Sequence, residues 1–257
     1  KKIDDIKKTG TTSTYESIKN IKDPRKEFMD IHGVGPKKAK ELVDAGYGSI
    51  EELRKSKDKS SILNNVQLLG LKYYEDLLLR IPYEEIQRHE KLLKNVLAKV
   101  DKTAELTIAG SYRRKKEDSG DVDVLLTSTD KTTYDKFIKK LKKDVYLIED
   151  LAFGPKKYNG ISKLGRDGPG RRIDIMYTKP GEYPFAILYF TGSKDFNQMM
   201  RKVANEKGYS LNEYNIEEYG DDPKVKTVID PEQVSIKTEK DIFDFLEMGY
   251  VEPWQRL

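Results

Sequence analysis

The segment Gly120-Asp121-Val122-Asp123-Val124-Leu125-Leu126 alternates acidic and apolar side chains before an apolar run. Successive side chains of a strand leave opposite faces, so Asp121 and Asp123 share one face while Val122 and Val124 point into a core. Two carboxylates then share one pocket edge, and like charges held so close favour a bound cation or a proton. An Asp-x-Asp in a strand also fits an ordinary exposed polar face, so its surroundings decide. Downstream, Arg171-Arg172-Ile173-Asp174-Ile175 isolates Asp174 inside an apolar strand, where a surface role does not fit if the strand is central. A neighbouring strand can bring it beside the pair, and three carboxylates can hold two metals about 3.5–4 Å apart. Upstream, Gly110-Ser111, Arg113, Arg114 and the turn Ser119-Gly120 offer a flexible backbone, a hydroxyl and guanidinium groups, all donors for phosphate oxygens.

Outward from this segment the pattern changes. From Lys1 to about Val100 apolar residues recur at helical spacing, as in Ile50, Leu53, Ile62, Leu63 and Val66, which predicts a set of short helices. From Glu105 onward come β-type segments, LTIAG, DVDVLLT and RRIDIMYT, separated by a lysine-rich helix near 131–143 and a Gly/Pro loop at 164–170. After Pro184 the reading is a helix through Leu188, a turn YFTGS, a helix over about 196–205 and a helix-like acidic end. The expected class is α+β.

The chain has 257 residues, enough for one large domain or two to three small ones. No cysteine is present and only His32 and His89 supply imidazoles, so disulfides, thiolate metal sites and a Ser/His/Asp triad are excluded or hard to build. Metal chemistry must rest on carboxylates. No run approaches the roughly 18 apolar residues of a spanning helix, so no membrane partner is expected. The start lacks both Met and an apolar signal region, and the chain is expected to be a fragment of something longer. A net charge of +4 permits a polyanion partner without requiring one.

Ile31-His32-Gly33-Val34-Gly35-Pro36-Lys37-Lys38-Ala39 places two glycines in a tight turn, then Pro at a helix start and lysines in its first turn. Such a turn presents backbone N–H groups at a helix N-terminus and can hold one phosphate of a DNA strand without reading its sequence. Gly33, Gly35 and Lys37 would make that contact. The carbonyls of Met29, Ile31 and Val34 could coordinate a monovalent cation, Na⁺ or K⁺, bridging to it. The same pattern also fits an interhelical turn that needs glycine only for geometry.

Taken in order, GSYRRKKEDSGDVDVLLT, RRIDI, YFTGSKDFN, LNEY and EKDIFDF resemble the family X DNA polymerases, the polymerase beta type most closely, over essentially the whole chain. The resemblance implies a remnant of a lyase-domain helix at 1–10, a helix-hairpin-helix DNA-binding subdomain at 11–80, a nucleotidyltransferase palm with a mixed sheet at 81–184 and an α+β nucleotide-selecting subdomain at 185–257. It implies template-directed filling of short gaps in DNA repair, with two Mg²⁺ ions (Mn²⁺ able to substitute) and with a dNTP and gapped or primed duplex DNA as partners. A monomer is expected, since the sequence shows no apolar surface stripe. The expected location is the nucleus in a eukaryotic cell and the cytoplasm otherwise.

By the same resemblance Asp121 and Asp123 ligate both metals and Asp174 the catalytic one, while Ser111, Arg114, Ser119 and the Gly120 amide, assisted by Arg80, hold phosphates. Arg172 is expected near the primer-end phosphate, and Lys157, in the loop GPKKYNG, on the template backbone. Tyr189 and Phe190 would lie against the incoming sugar across the bend at Gly192-Ser193; without the family context their reading is core packing. Asn197 and Arg201, four apart on one helix face, would reach the minor-groove edge of the new pair. Lys2 stands at the family's Schiff-base lysine, but a frayed terminal helix cannot lower its pKa, so lyase activity is expected only in a longer parent.

Three departures bear on nucleotide discrimination. Met176 stands where the family pattern has an arginine, Lys194 where it has an acidic residue, and Gln198 where it has a template-stacking lysine. Two rival readings share parts of the pattern: a template-independent nucleotidyltransferase and a non-catalytic scaffold for gapped DNA. The hairpin and YFTG argue against the first, and the three intact carboxylates against the second.

Overall fold

Proline, glycine and asparagine open several of the early helices in the computed structural model, which describes residues 23–222 and 224–256. The expectations for 1–10 and for Lys2 lie outside the described residues. The chain divides into two compact units, Lys1–Tyr74 and Glu75–Leu257, so the segments expected as 81–184 and 185–257 both fall in the second.

The first unit contains α1 (Pro24–Met29), α2 (Pro36–Asp44), α3 (Ile50–Lys55), α4 (Lys59–Ile62) and α5 (Asn65–Lys72). Asp23 caps α1, and Pro24 and Pro36 open α1 and α2, where a missing N–H costs nothing. Asn64 and Gln67 form a capping box on α5, and the Gln67 amide also donates to the Gly33 carbonyl at 2.9 Å. Gly33 has φ +85°, a conformation that suits glycine. Gly70 lets α5 lie against the His32 backbone, which a Cβ there would strike. The core is Phe28, Ile31, Val34, Leu42, Leu53 and Leu71 with their neighbours.

The second unit begins within α6 (Tyr74–Leu78). Its elements are β1 (Ile81–Pro82), α7 (Tyr83–Val100), β2 (Glu105–Ile108), α8 (Gly110–Arg113), β3 (Asp118–Ser119), β4 (Val122–Thr127), α9 (Thr132–Lys143), β5 (Leu147–Phe153), β6 (Lys157–Ser162) and β7 (Arg171–Thr178). Then come α10 (Tyr183–Thr191), α11 (Lys194–Glu206), β8 (Tyr209–Leu211), β9 (Ile216–Tyr219), β10 (Lys226–Val228) and α12 (Glu239–Phe245). A five-stranded mixed sheet has the order β2-β4-β7-β6-β5, parallel only between β4 and β7. Helices α7 and α9 cover one face, where Ile86, Leu93, Phe137 and Leu141 pack on Val122, Val124, Ile173 and Ile175. The opposite face holds Leu125 and Met176 against Ala186 and Ile187 of α10. A small antiparallel sheet, β10-β9-β8, packs with α10, α11 and α12 around Phe185, Phe196, Ile216 and Phe243. The fold is α+β, as expected. No helix among the described residues is long and apolar enough to cross a membrane.

Four local readings are corrected. The last stretch of the expected short helices is one helix of 18 residues, α7, because Ile86, His89, Leu93, Val96 and Leu97 form a continuous stripe buried on the sheet. Gly110-Ser111 is a helical turn rather than flexible backbone, entered through Gly110 at φ +56°. Helix α10 runs past Leu188 to Thr191, so Tyr189 and Phe190 lie in its last turn, and it stops at Gly192, φ +65°. Lys157 opens strand β6 rather than sitting in a loop.

Candidate active site

Strand register assembles the carboxylates. Parallel pairing sets Asp123 opposite Asp174 and Val122 opposite Ile173, so both aspartates leave the face away from α7 and α9. Asp121, just before β4, joins them, and one oxygen from each of the three lies within 4.8 Å of the others. All three are half-buried. Burial pushes the Asp123 carboxyl well above the usual carboxylate range, and the charges of Asp121 and Asp174 push the same way. Burial likewise raises Asp121, against the pull of Arg172, whose guanidinium pairs with it.

The trio lines a cavity of about 650 Å³ together with Arg80, Ser111, Arg114, Gly120, Lys157, Tyr189, Phe190, Gly192, Asn197 and Arg201, all of them expected site residues. Lys194 and Gln198 line it too. Two expected residues of the second unit stand apart from the wall. Ser119 is buried in the β1–β3 ladder opposite Ile81, and Arg172 reaches the site through Asp121. That ladder aims Arg80, whose guanidinium is held by Asp118 at 2.8 Å. The hairpin residues Met29, Ile31, Gly33, Val34, Gly35 and Lys37 belong to the first unit, where the Ile31 carbonyl accepts from the Val34 N–H at 3.0 Å and Lys37 is exposed.

The turn α8 connects the cavity to α10. Arg114 donates to the Thr191 carbonyl at 2.5 Å, and Arg113 donates to the Thr191 hydroxyl at 2.6 Å and pairs with Glu239 of α12 at 2.9 Å. Across the cavity Ser193 caps α11, Asn197 donates to the Tyr189 carbonyl at 2.7 Å, and the Arg201 guanidinium lies 5.3 Å from the centre of the Tyr189 ring. Met176, which cannot form a charge pair with Asp123, is buried in the apolar patch under α10.

The residues fit a hard divalent cation with a phosphate beside it. The converging donors are all carboxylate oxygens, the set that suits Mg²⁺ or Mn²⁺. A Cβ at Gly110 would run into the Asp123 carboxylate, so glycine preserves room for that carboxylate. The Arg114 Nε is buried without a hydrogen-bond partner, a donor left over for an anion. Asn159 was missed by the sequence reading. It sits opposite Asp174 on β6 and donates to its Oδ1 at 2.5 Å. Only the strand register could have shown it.

A carboxylate-triad nucleotidyltransferase palm is the class these features define. The DNA polymerase beta palm model matches residues 80–180, the DNA polymerase beta thumb model residues 186–257, and the model for the fingers domain of DNA polymerase lambda residues 26–78. DNA polymerase lambda of Arabidopsis thaliana is 32% identical over 275 residues, covering 99% of this chain and 50% of that protein. DNA polymerase lambda of Rattus norvegicus is 33% identical over 267 residues, covering 99% and 46%. DNA nucleotidylexotransferase of Xenopus laevis is 26% identical over 271 residues, covering 90% and 51%. The chain spans about half the length of the curated relatives it matches. It belongs to the family X DNA polymerases.

Proposed function

We propose that this chain adds deoxynucleotides, chosen by a template, to a primer 3′-hydroxyl in short DNA gaps of the kind left in base excision repair. The primer oxygen forms a bond to the α-phosphorus of the dNTP, the bond from that phosphorus to the β-phosphate oxygen breaks, and pyrophosphate leaves. Asp121 and Asp123 hold two Mg²⁺ ions and Asp174 the catalytic one, with Mn²⁺ able to substitute. Bound there, the ions supply Lewis-acid stabilisation of the attacking and leaving oxygens. Asp174 takes the hydroxyl proton. Ser111, Arg114 and the Gly120 amide, with Arg80, hold the β and γ phosphates, and Arg172 exchanges Asp121 for the primer-end phosphate.

Tyr189 and Phe190, in the last turn of α10, form the wall against the sugar, and Asn197 and Arg201 the side that meets the base pair. Lys157 takes the template backbone. In the first unit the Gly33–Gly35 turn holds a DNA phosphate, with Na⁺ or K⁺ on the carbonyls of Met29, Ile31 and Val34. The protein acts as a monomer, nuclear in a eukaryotic source.

One observation carries the reading: the register of β4 and β7 that puts Asp123 opposite Asp174 with Asp121 in reach. A template-independent reading is favoured only by the likeness to a nucleotidylexotransferase. Primer extension on a one-nucleotide gap with Mg²⁺ separates them. Template-matched addition that is lost in Asp174→Ala supports the proposal. Addition that ignores the template, including on a single-stranded primer with no template, favours the alternative, and tight gap binding without addition favours a scaffold.

A further inference from the structure

We infer that Asn159 is a positioning residue for Asp174, holding that carboxylate in the orientation that receives the metal. The inference rests on the two-metal reading above. It starts from a row across three strands: Asp123 on β4, Asp174 on β7 and Asn159 on β6 are successive Cα partners, so their side chains leave the same face. Asp174 therefore stands between a carboxylate on one side and a carboxamide on the other. The Asn159 Nδ2 donates to Asp174 Oδ1 at 2.5 Å.

The chemistry of the pair admits one orientation. An ionised carboxylate only accepts, so the amide must present its NH₂; turned over, its oxygen would face an oxygen. A carboxamide also binds one carboxylate oxygen without bringing a positive charge into a site that must hold cations. The other Asp174 oxygen is left for coordination. The register is firmly set, because β6 pairs with β7 residue by residue from Lys157↔Met176 to Ser162↔Arg171. Asparagine is disfavoured in strands, and β6 lies inside the sheet between β7 and β5. Its contribution therefore lies in the carboxylate it touches rather than in strand propensity. Asn159 is absent from the cavity wall and half-buried, so it acts on substrate only through Asp174.

Outer partners of metal ligands of this kind are worth about 10- to 100-fold in affinity or activity. Asn159→Leu removes the donor, and Asn159→Gln keeps a carboxamide on a longer arm. The test measures Mn²⁺ binding to the DNA-free protein from the electron paramagnetic signal of free Mn²⁺, together with gap-filling kcat and the KM for dNTP. Thermal melting of each variant is followed in parallel. The expected result for Asn159→Leu is about tenfold weaker Mn²⁺ binding and about tenfold lower kcat, with KM changed less than about twofold, and substantial recovery in Asn159→Gln. Wild-type Mn²⁺ affinity and kcat in Asn159→Leu overturn the inference. So does equal loss in both variants accompanied by lowered melting temperature, which would make the residue structural. Asp174→Ala separates the two levels of argument. If it abolishes addition and weakens Mn²⁺ binding while Asn159→Leu is silent, only the positioning role fails. If wild type binds no Mn²⁺, the two-metal reading fails and the inference with it.

Discussion

Asp123 and Asp174 are direct partners in the only parallel ladder of the mixed sheet, β4 against β7, and Asp121 completes a trio whose oxygens lie within 4.8 Å. Three acidic groups so placed oppose one another until a cation or a proton neutralises them. Asp123→Asn removes one of those charges at nearly constant shape. The metal-free protein is expected to gain about 1 kcal/mol of stability, the usual trade when a functional charge is removed. Nucleotide addition should fall about a thousandfold, near 4 kcal/mol of transition-state stabilisation. Melting curves in chelator and in Mg²⁺ check this: Mg²⁺ should raise the wild-type midpoint and leave that of the variant nearly unchanged.

Gly110 tests the geometry around the same carboxylate. Its φ is +56°, and a Cβ would meet Asp123. Gly110→Ala should cost at least about 1 kcal/mol from backbone conformation alone. By displacing Asp123 it should also lower activity about a hundredfold. Gly46→Ala is the control: its φ is +91° with nothing within 4 Å of the added carbon, so it should show the backbone cost and keep full activity.

The hairpin of the first unit is checked by salt dependence. Lys37→Ala should weaken DNA binding at every sequence and reduce the slope of log K against log salt by about 1. Gly33→Ala, at φ +85° with the Val66 side chain 3.1 Å from the new carbon, should weaken binding by distorting the turn and leave the slope intact. Fluorescence anisotropy on gapped duplex across a salt series distinguishes the two. A Lys37→Ala slope identical to wild type would count against phosphate contact there.

Glu239 links two arginines, one of them, Arg256, shut away from water and the other, Arg113, partly exposed. It pairs with Arg256 at 2.5 Å and Arg113 at 2.9 Å, and Arg256 is fully buried. Removing the shared acid leaves an uncompensated buried charge, so Glu239→Ala should cost about 3–5 kcal/mol in denaturant unfolding. Glu239→Gln, which keeps an acceptor, should cost less.

His89 gives the fold an acid sensitivity outside the site. It is fully buried, its Nδ1 lies 2.6 Å from the Tyr146 hydroxyl, and burial lowers its pKa to about 4, against a raising effect from Glu85. The unfolded chain takes up the proton near pH 6.5 and the folded one only near pH 4. Its contribution is therefore complete above about pH 6.5 and is lost as pH falls toward 4, by up to about 3 kcal/mol. Stability measured across that window should decline less steeply in His89→Phe than in wild type, whatever the variant's stability at pH 8.

Much of the candidate site was legible before the fold. Alternation in residues 120–126 placed Asp121 and Asp123 on one face, and the isolation of Asp174 among apolar residues spoke against a surface role provided its strand was central; both strands lie inside the five-stranded sheet. The glycine, proline and lysine order of the hairpin located a turn between two helices, and α1 and α2 flank it. The end of α10 was misread because YFTG carries aromatic residues before a glycine, which fits a turn as well as a helix C-terminus. The length of α7 was misread because its stripe looks like the neighbouring short helices until the sheet that buries it is present.

The sequence by itself determined which residues can do chemistry, because carboxylate, guanidinium and glycine positions are local facts of spacing and side-chain type. It also determined the α+β class, since helical and strand periodicities are each set by neighbours a few residues apart. Tertiary structure alone decided that Asp174 lies beside Asp123, that Asn159 lies beside Asp174, and that Arg113 and Arg256 share Glu239 as their ion-pair partner. Those contacts depend on strand order and register and on packing between distant segments. They are chosen by the burial of the whole apolar face, a sum over the sheet and its helices that no short stretch of chain carries.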